Sequence, residues 1–353
     1  MAARIRIGIV GPRTGSGAPC GDMQLRGATM AIQQINARGG VGGRMLEARE
    51  YDDAGDPRHA VVAATKAVND GVKYVVGHAL SLATEMASVV YEDAGVVMIT
   101  PSATSPEITA RGYRLVFRTI GLDSAQAAVA GTFIVGRLPK AVGIVHDKQL
   151  YGEGLATGVR RMLVSRGVRV ALFEGVDGDG KDFSAVIRKL KAAGVDFVYY
   201  GGYHAPLGRF LRQAKAEGLD AQFMAGEACA DDALSRIAQD AAEGLLVTVP
   251  VPVPVPVPAA AGRDGLAHGP GDAGISRAPG GLRVRAAYAA VQVIAEAIRA
   301  AGDAEDPERV AQAIRAGRFK TAIGDLSFDE DGDVEAFSFD VCEWHHSGPE
   351  RKA

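Results

Sequence analysis

Ten short runs rich in β-branched and aromatic residues recur along the chain, and most are followed by an amphipathic segment of helical length. The runs are Arg4–Val10, Met45–Asp52, Tyr74–Gly77, Val96–Thr100, Leu115–Thr119, Ala141–His146, Val168–Glu174, Phe197–Gly201, Gln222–Ala225 and Leu245–Thr248. Strands separated by helices pair in parallel, and a parallel sheet must be covered by helices on both faces. The alternation therefore predicts an α/β protein of doubly wound, Rossmann-like type. Ten strands fit poorly into one open sheet around one core, so two lobes are expected. The break falls near Gly121-Leu122-Asp123, after the extended run "YRLVFRTI".

Local punctuation supports the helices. In "DPRHAVVAATKAVNDG" Asp56 is placed to cap, Pro57 to take the first helical position and Gly71 to end the helix in left-handed conformation. "KDFSAVIRKLKAAG" ends in Gly194 in the same way. Two later helices, about 284–301 and 307–316, could join either lobe, and "SFDEDGDVEAFSFDVCEWH" reads as a turn and then an alternating strand. One stretch breaks the pattern. Residues 249–258 read "VPVPVPVPVP", and proline at every second position removes donors from a ladder and disfavours helix. The following residues have no periodicity, so 249–281 is expected to be an irregular Val-Pro- and Gly-rich segment. A local shift of reading frame would also produce a patch that loses its pattern and regains it near 284.

Composition narrows the function. A net charge of −3 over 353 residues predicts no nucleic-acid or membrane-surface partner. No run of about 18 apolar residues is present to suggest a transmembrane helix. "MAARIRIGIV" lacks the features of a secretion leader, so either the protein stays in the cytoplasm or a leader has been removed. Cys20, Cys229 and Cys342 are too few and too scattered for a disulfide framework.

Enzyme and metal motifs fail. There is no G-x-x-x-x-G-K-[ST] and no G-x-S-x-G, and "GPRTGSGAPCG" lacks dinucleotide spacing. "DGDGKD" and "DEDGD" place glycine too early for calcium loops, so turn chemistry explains them better. "CEWHH" has no second ligand pair at zinc spacing. No cofactor or metal is expected.

The strand ends are more informative, because ligands of open α/β sheets lie beyond the carboxyl ends of the strands. In "MITPSATSPE" a buried run stops at Thr100, Ser102, Thr104 and Ser105, and in "YVVGHALSLATE" Ser81 opens a helix directly after a strand. Hydroxyls and amides at a helix start suit an anion. Alternatively, Ser81 and Thr104 serve as ordinary N-caps. Three other strand ends supply Tyr151, Tyr203 and Glu227, which suit a polar ligand or belong to surface loops.

Long colinear stretches carry a resemblance. "RIGIVGPRTG", "GDMQLRGATMAIQQINARGGVGG", "YDDAGDPRHAV", "VMITPSATSPEITARGYRLVFRT", "IVHDKQLYGEGLA", "KDFSAVIRKLKAAGVDFVYYGGYH" and "GDLSFDEDGD" resemble the periplasmic branched-chain amino-acid binding proteins of ABC transporters. The resemblance covers about 1–248 and 284–346. It implies the type I periplasmic binding protein fold, two lobes joined by a three-strand hinge. One lobe would be 1–121 with 250–330, the other 122–249 with 331–353. The implied function is non-enzymatic: capture of free leucine, isoleucine or valine as the lobes close, and delivery to an ABC permease in the periplasm, by a monomer. Carried over, Ser81 would bind the carboxylate, and Ser102 and Thr104 would contact carboxylate and ammonium. Glu227 would pair with the ammonium, Tyr151 and Tyr203 would close over the ligand, and Ala79, Ala103 and Cys20 complete the binding set. Cys20 stands where relatives often carry an aromatic residue, and Arg283 is the nearest match to a second pocket aromatic. Gly55 and Leu80 match the positions of a disulfide in some members, so none is expected here. The alternatives are the same trap for another amino acid or an amide, a sensor domain, and a nucleotide-cofactor enzyme.

Overall fold

The computed structural model describes residues 3–15, 17–178, 180–251, 279–345 and 348–351. In chain order the elements are β1 (Ile5–Gly11), α1 (Ala18–Ala37), β2 (Leu46–Asp52), α2 (Pro57–Asn69), β3 (Tyr74–Gly77), α3 (Ser81–Asp93), β4 (Val97–Thr100) and β5 (Val116–Arg118). They continue with α4 (Asp123–Gly136), β6 (Val142–His146), α5 (Leu150–Ser165), β7 (Val170–Gly175), α6 (Ser184–Ala192), β8 (Phe197–Gly201), α7 (His204–Ala216), β9 (Gln222–Ala225), α8 (Asp232–Ala238) and β10 (Leu246–Val251). The last are α9 (Pro279–Ala301), α10 (Pro307–Ala316), β11 (Phe319–Thr321), β12 (Gly324–Leu326), β13 (Ser338–His345) and β14 (Gly348–Arg351). Short 3-10 turns lie at Pro106–Ile108, Glu227–Cys229 and Gln239–Ala242.

The chain divides into two compact units, one holding the residues up to Ile120 with Gly281–Phe337, the other Gly121–Val251 with the residues from Ser338. The first contains a parallel sheet in the order β2-β1-β3-β4-β5. Its strands alternate as period-2 geometry requires. Ile5, Ile7, Ile9, Tyr74, Val76 and Ile99 pack toward α1, α9 and α10, whereas Val10, Val75 and Met98 pack toward α2 and α3. Alanine faces let the helices sit close: Ala60, Ala64, Ala67, Ala83 and Ala87 are buried on one side, and Ala28, Ala31, Ala287 and Ala290 on the other. At Gly27 a side chain is impossible, because its Cβ would lie 2.0 Å from the Val284 carbonyl oxygen of α9.

The second unit contains seven strands in the order β14-β13-β10-β9-β8-β6-β7. Those from β7 to β10 are parallel, and β13 and β14 add antiparallel. Helix punctuation follows the sequence. Asp56 accepts from the amides of Arg58 and His59, Pro57 opens α2, and Gly71 and Gly194 have φ of +73° and +65°.

The irregular segment needs correction at both ends. Val249-Pro250-Val251 belongs to β10 and pairs with Ser338–Asp340 of β13. Pairing with β9 stops at Val247, so Pro250 has a neighbour on one side only, where its missing N–H is tolerated. Residues 279–283 are the start of α9, which therefore begins before 284. The rest of 249–281 lies outside the described residues.

A fully buried guanidinium organises the loops of the first unit. Arg118, at the end of β5, is 0% exposed. Its Nε donates to Asp333 Oδ1 at 2.5 Å, Nη1 to the Ala103 carbonyl at 2.9 Å, and Nη2 to the Ser105 carbonyl at 3.0 Å and to Thr109 Oγ1 at 2.7 Å. Thr109 in turn donates to Asp333 at 3.0 Å. Arg118 thus ties the loop after β4 to the 329–333 turn. Removing one partner of such a pair leaves a charge buried without compensation. Arg118→Ala is expected to lower the unfolding free energy by about 3–5 kcal/mol, read from urea denaturation.

Candidate functional site

The strand ends of the first unit are organised by Thr100. Its hydroxyl donates to the His78 carbonyl at 2.8 Å and accepts from the amides of Ala103 at 3.1 Å and Ser102 at 3.4 Å. The end of β3 and the loop after β4 are thereby locked together. His78 is itself buried and held through its ring, with Nδ1 2.6 Å from Asp53 Oδ2 and Nε2 3.1 Å from the Tyr91 hydroxyl.

On this frame Ser81 is the first residue of α3, with Leu80 at the cap position, and Thr104 precedes the 3-10 turn capped by Ser105. Neither serves as an N-cap. Both residues are buried, at 3% and 1% exposure. Ala79 and Ala103 are buried beside them. Cys20, in the first turn of α1, brings its sulfur within 3.5 Å of the Ser102 hydroxyl. Cys20 and Ser102 thus meet directly, and Thr100 ties the segment that carries Ala79 and Ser81 to the one that carries Ser102, Ala103 and Thr104. The Leu80 Cδ1 atom lies 3.0 Å from where a Gly55 side chain would begin, so leucine fills the space beside that glycine. None of the three cysteines forms a disulfide among the described residues.

The second unit gathers Tyr151, Tyr203 and Glu227. Tyr151 is the second residue of α5 and Tyr203 the cap residue of α7, with ring centroids 5.4 Å apart and planes tilted by 44°. Glu227 opens the 3-10 turn after β9, 9% exposed. Its amide donates to Gln126 Oε1 at 2.9 Å, and that oxygen also accepts from Thr248 Oγ1 at 2.8 Å. The Ala228 amide donates to the Tyr151 hydroxyl at 3.4 Å. Gly226 leaves room for this arrangement, since a Cβ there would lie 2.5 Å from that hydroxyl. Burial, reinforced by the Glu227 and Asp123 carboxylates, holds the Tyr151 phenol protonated far above its usual range. Arg283 stands half-buried on α9, in the first unit.

Several supporting residues escaped the sequence reading: Asp53, His78, Arg118, Gln126 and Asp147. Arg118 left a trace, a lone cation closing an apolar strand. Gln126 left none, since it looks like any polar residue of a helix. The acidic motifs are turns. Asp329 accepts from the amides of Asp331 and Asp333, and Gly180 donates to the Asp177 carbonyl. His345 pairs with Glu243, and His346 lies outside the described residues. No group of acids, histidines and cysteines among the described residues could hold a metal.

A profile of the family described as "Periplasmic binding protein" matches residues 4–338. The chain belongs to that family. The Leucine-, isoleucine-, valine-, threonine-, and alanine-binding protein of Pseudomonas aeruginosa is 53% identical over 98% of this chain and 91% of its own length. The Leu/Ile/Val-binding protein of Escherichia coli K12 is 44% identical over 99% of this chain and 93% of its own. A crystal structure of the branched-chain amino acid transporter substrate binding protein LivJ from Streptococcus pneumoniae, in complex with isoleucine, is 25% identical with a TM-score of 0.80, covering 95% of this chain and 99% of that one. The family is one of solute-binding transport proteins, and the fold is the mixed α/β, two-lobed type expected from the strand–helix alternation.

The Thr100 hub has a direct test. Thr100→Val removes a donor from the His78 carbonyl and an acceptor from the Ala103 amide, and is expected to cost about 1–3 kcal/mol of stability. Thr100→Ser, which keeps the hydroxyl, should restore most of it in the same thermal or urea unfolding assay.

Proposed function

We propose that this protein binds a free L-α-amino acid with a branched aliphatic side chain, in the periplasm, and presents it to an ABC permease without chemical change. The observation that carries this is the pair of hydroxyl residues Ser81 and Thr104, nearly buried beside helix starts that neither of them caps. Beside the amides at the start of α3 these hydroxyls suit a carboxylate. The other unit offers Glu227 and a tyrosine pair, which suit an ammonium. An α-amino acid carries both charges. Cys20, Ala79 and Ala103 add small, weakly polar surface that suits an aliphatic side chain.

The reading also draws on the relatives, whose names specify leucine, isoleucine and valine, and on the isoleucine complex. The Pseudomonas relative is also named for threonine and alanine, so those two belong in the ligand screen.

Thermal unfolding of the ligand-stripped protein against single amino acids tests the proposal. Leucine, isoleucine or valine at about 100 times its dissociation constant should add about 2.7 kcal/mol of stability. Ser81→Ala and Thr104→Val should each weaken binding by about 1.5–3 kcal/mol, the worth of a hydrogen bond to a charged group. Glu227→Gln should weaken it at least as much, measured by calorimetric titration. No shift with any amino acid, or variants that bind like the parent, would sink the reading.

A further inference from the structure

Asp147 follows β6 directly and is 2% exposed. Its amide donates to the Gly201 carbonyl at 3.1 Å, which holds the ends of β6 and β8 side by side. Its Oδ1 accepts from the amide of Gln149, the cap residue of α5, at 3.0 Å. The amide of Tyr203, the cap residue of α7, approaches the same carboxylate and favours its charge. One buried carboxylate therefore spans two helix starts, where the N-terminal partial charges favour an anion.

Those two helix starts carry the tyrosine pair. Tyr151 lies two residues beyond Gln149, and Tyr203 supplies the second amide. The chain leaves room for this carboxylate on both sides. A Cβ at Gly152 would lie 2.2 Å from Oδ1, and one at Gly202 would lie 2.6 Å from Oδ2. Gly202 also has φ of +152°, a conformation that side chains disfavour.

We propose that Asp147 is a positioning residue, its carboxylate fixing the starts of α5 and α7 and so the geometry of the Tyr151–Tyr203 pair. The role in ligand binding rests on the amino-acid reading above; the positioning itself does not.

The carboxylate is poorly compensated for a buried charge. Its Oδ2 makes no well-formed hydrogen bond among the described residues, and the Tyr200 hydroxyl beside Gly202 also lacks a partner there. Burial pushes the Asp147 carboxyl up to about 6, against the opposing pull of the Gln149 and Tyr203 amides. Other titratable and charged groups on the elements around it are His146 and Lys148 at the end of β6, Glu153 on α5, Tyr200 on β8, Asp177 after β7, His204 and Arg209 on α7, and Cys229, whose thiol donates to the Gly202 carbonyl at 3.1 Å. His146 is kept neutral-favouring by burial, with its Nδ1 accepting from the Lys148 amide. The Arg209 guanidinium donates to the Gly178 carbonyl. Protonation makes Asp147 a weaker acceptor of both amides while relieving the cost of its burial, so the two helix starts sense whether the carboxyl is charged.

The test is a pH titration of ligand-free protein carrying ring-13C tyrosine, with the two resonances assigned from Tyr151→Phe and Tyr203→Phe. Both should move with one shared midpoint near pH 6, the value toward which burial drives Asp147. They should stay flat in Asp147→Asn and keep their step in His146→Gln and His204→Gln. Leucine affinity should be about tenfold weaker in Asp147→Asn than in the parent at pH 7.5, where the parent's carboxylate accepts both amides, and the parent's step in affinity near pH 6 should be absent from the variant. Absence of a shared step, or a step that survives in Asp147→Asn or vanishes in a histidine variant, overturns the proposal. If Asp147→Asn does not fold, the parent titration with the two histidine variants still decides. If leucine does not bind at neutral pH, the amino-acid reading fails, and the ligand-free titration still judges Asp147.

Discussion

A guanidinium removed entirely from water must place its donors on protein oxygens, and Arg118 does so with Asp333, Ala103, Ser105 and Thr109. Two of those partners are carbonyls of the loop that carries Thr104. The desolvation cost of the charge makes alternative loop conformations unfavourable, because each would strand a buried donor. Thr100 acts on the same loop from the strand side through the Ala103 amide. Held from both directions, the loop keeps Thr104 buried.

The second unit solves the same problem with different groups. Its parallel strands also end in short turns, and buried side chains stitch those turns together. Gln126 takes the Glu227 amide and the Thr248 hydroxyl on one oxygen, and Asp147 spans the starts of α5 and α7. In both units the residues proposed to hold the ligand are supported by a layer of buried polar groups whose bonds are mostly to backbone. Backbone bonds fix loop shape, which a rigid binding site needs. Glycine marks the places where this layer comes closest: Gly226 against Tyr151, and Gly152 and Gly202 against Asp147.

The elements were legible because their signals are local. Tyr74–Gly77, Phe197–Gly201 and Gln222–Ala225 begin and end where composition and flanking turns place them. Asp56, Pro57 and Gly71 act within a few residues of one another, so their roles survive any tertiary context. The Val-Pro repeat misled at its start, because Pro250 is tolerated only through where the neighbouring strand happens to stop. The candidate ligand residues were visible as hydroxyls, tyrosines and a carboxylate at strand ends, together with a family likeness. That Ser81 and Thr104 are not caps was invisible, since capping and ligand binding select the same residue types at the same positions.

Sequence alone determined the α/β class, the positions of the strands, and which residue types stand at their carboxyl ends. It could do so because period-2 and period-3.6 patterns, helix caps and turn glycines act over short separations. Tertiary structure decided which of those ends meet and what holds them. Arg118 reaches Asp333 across 215 positions, Gln126 reaches Glu227 across 101, and Asp53 reaches His78 across 25. Such pairings are set by strand order and by the need of each buried polar group for a partner, and no local pattern encodes them.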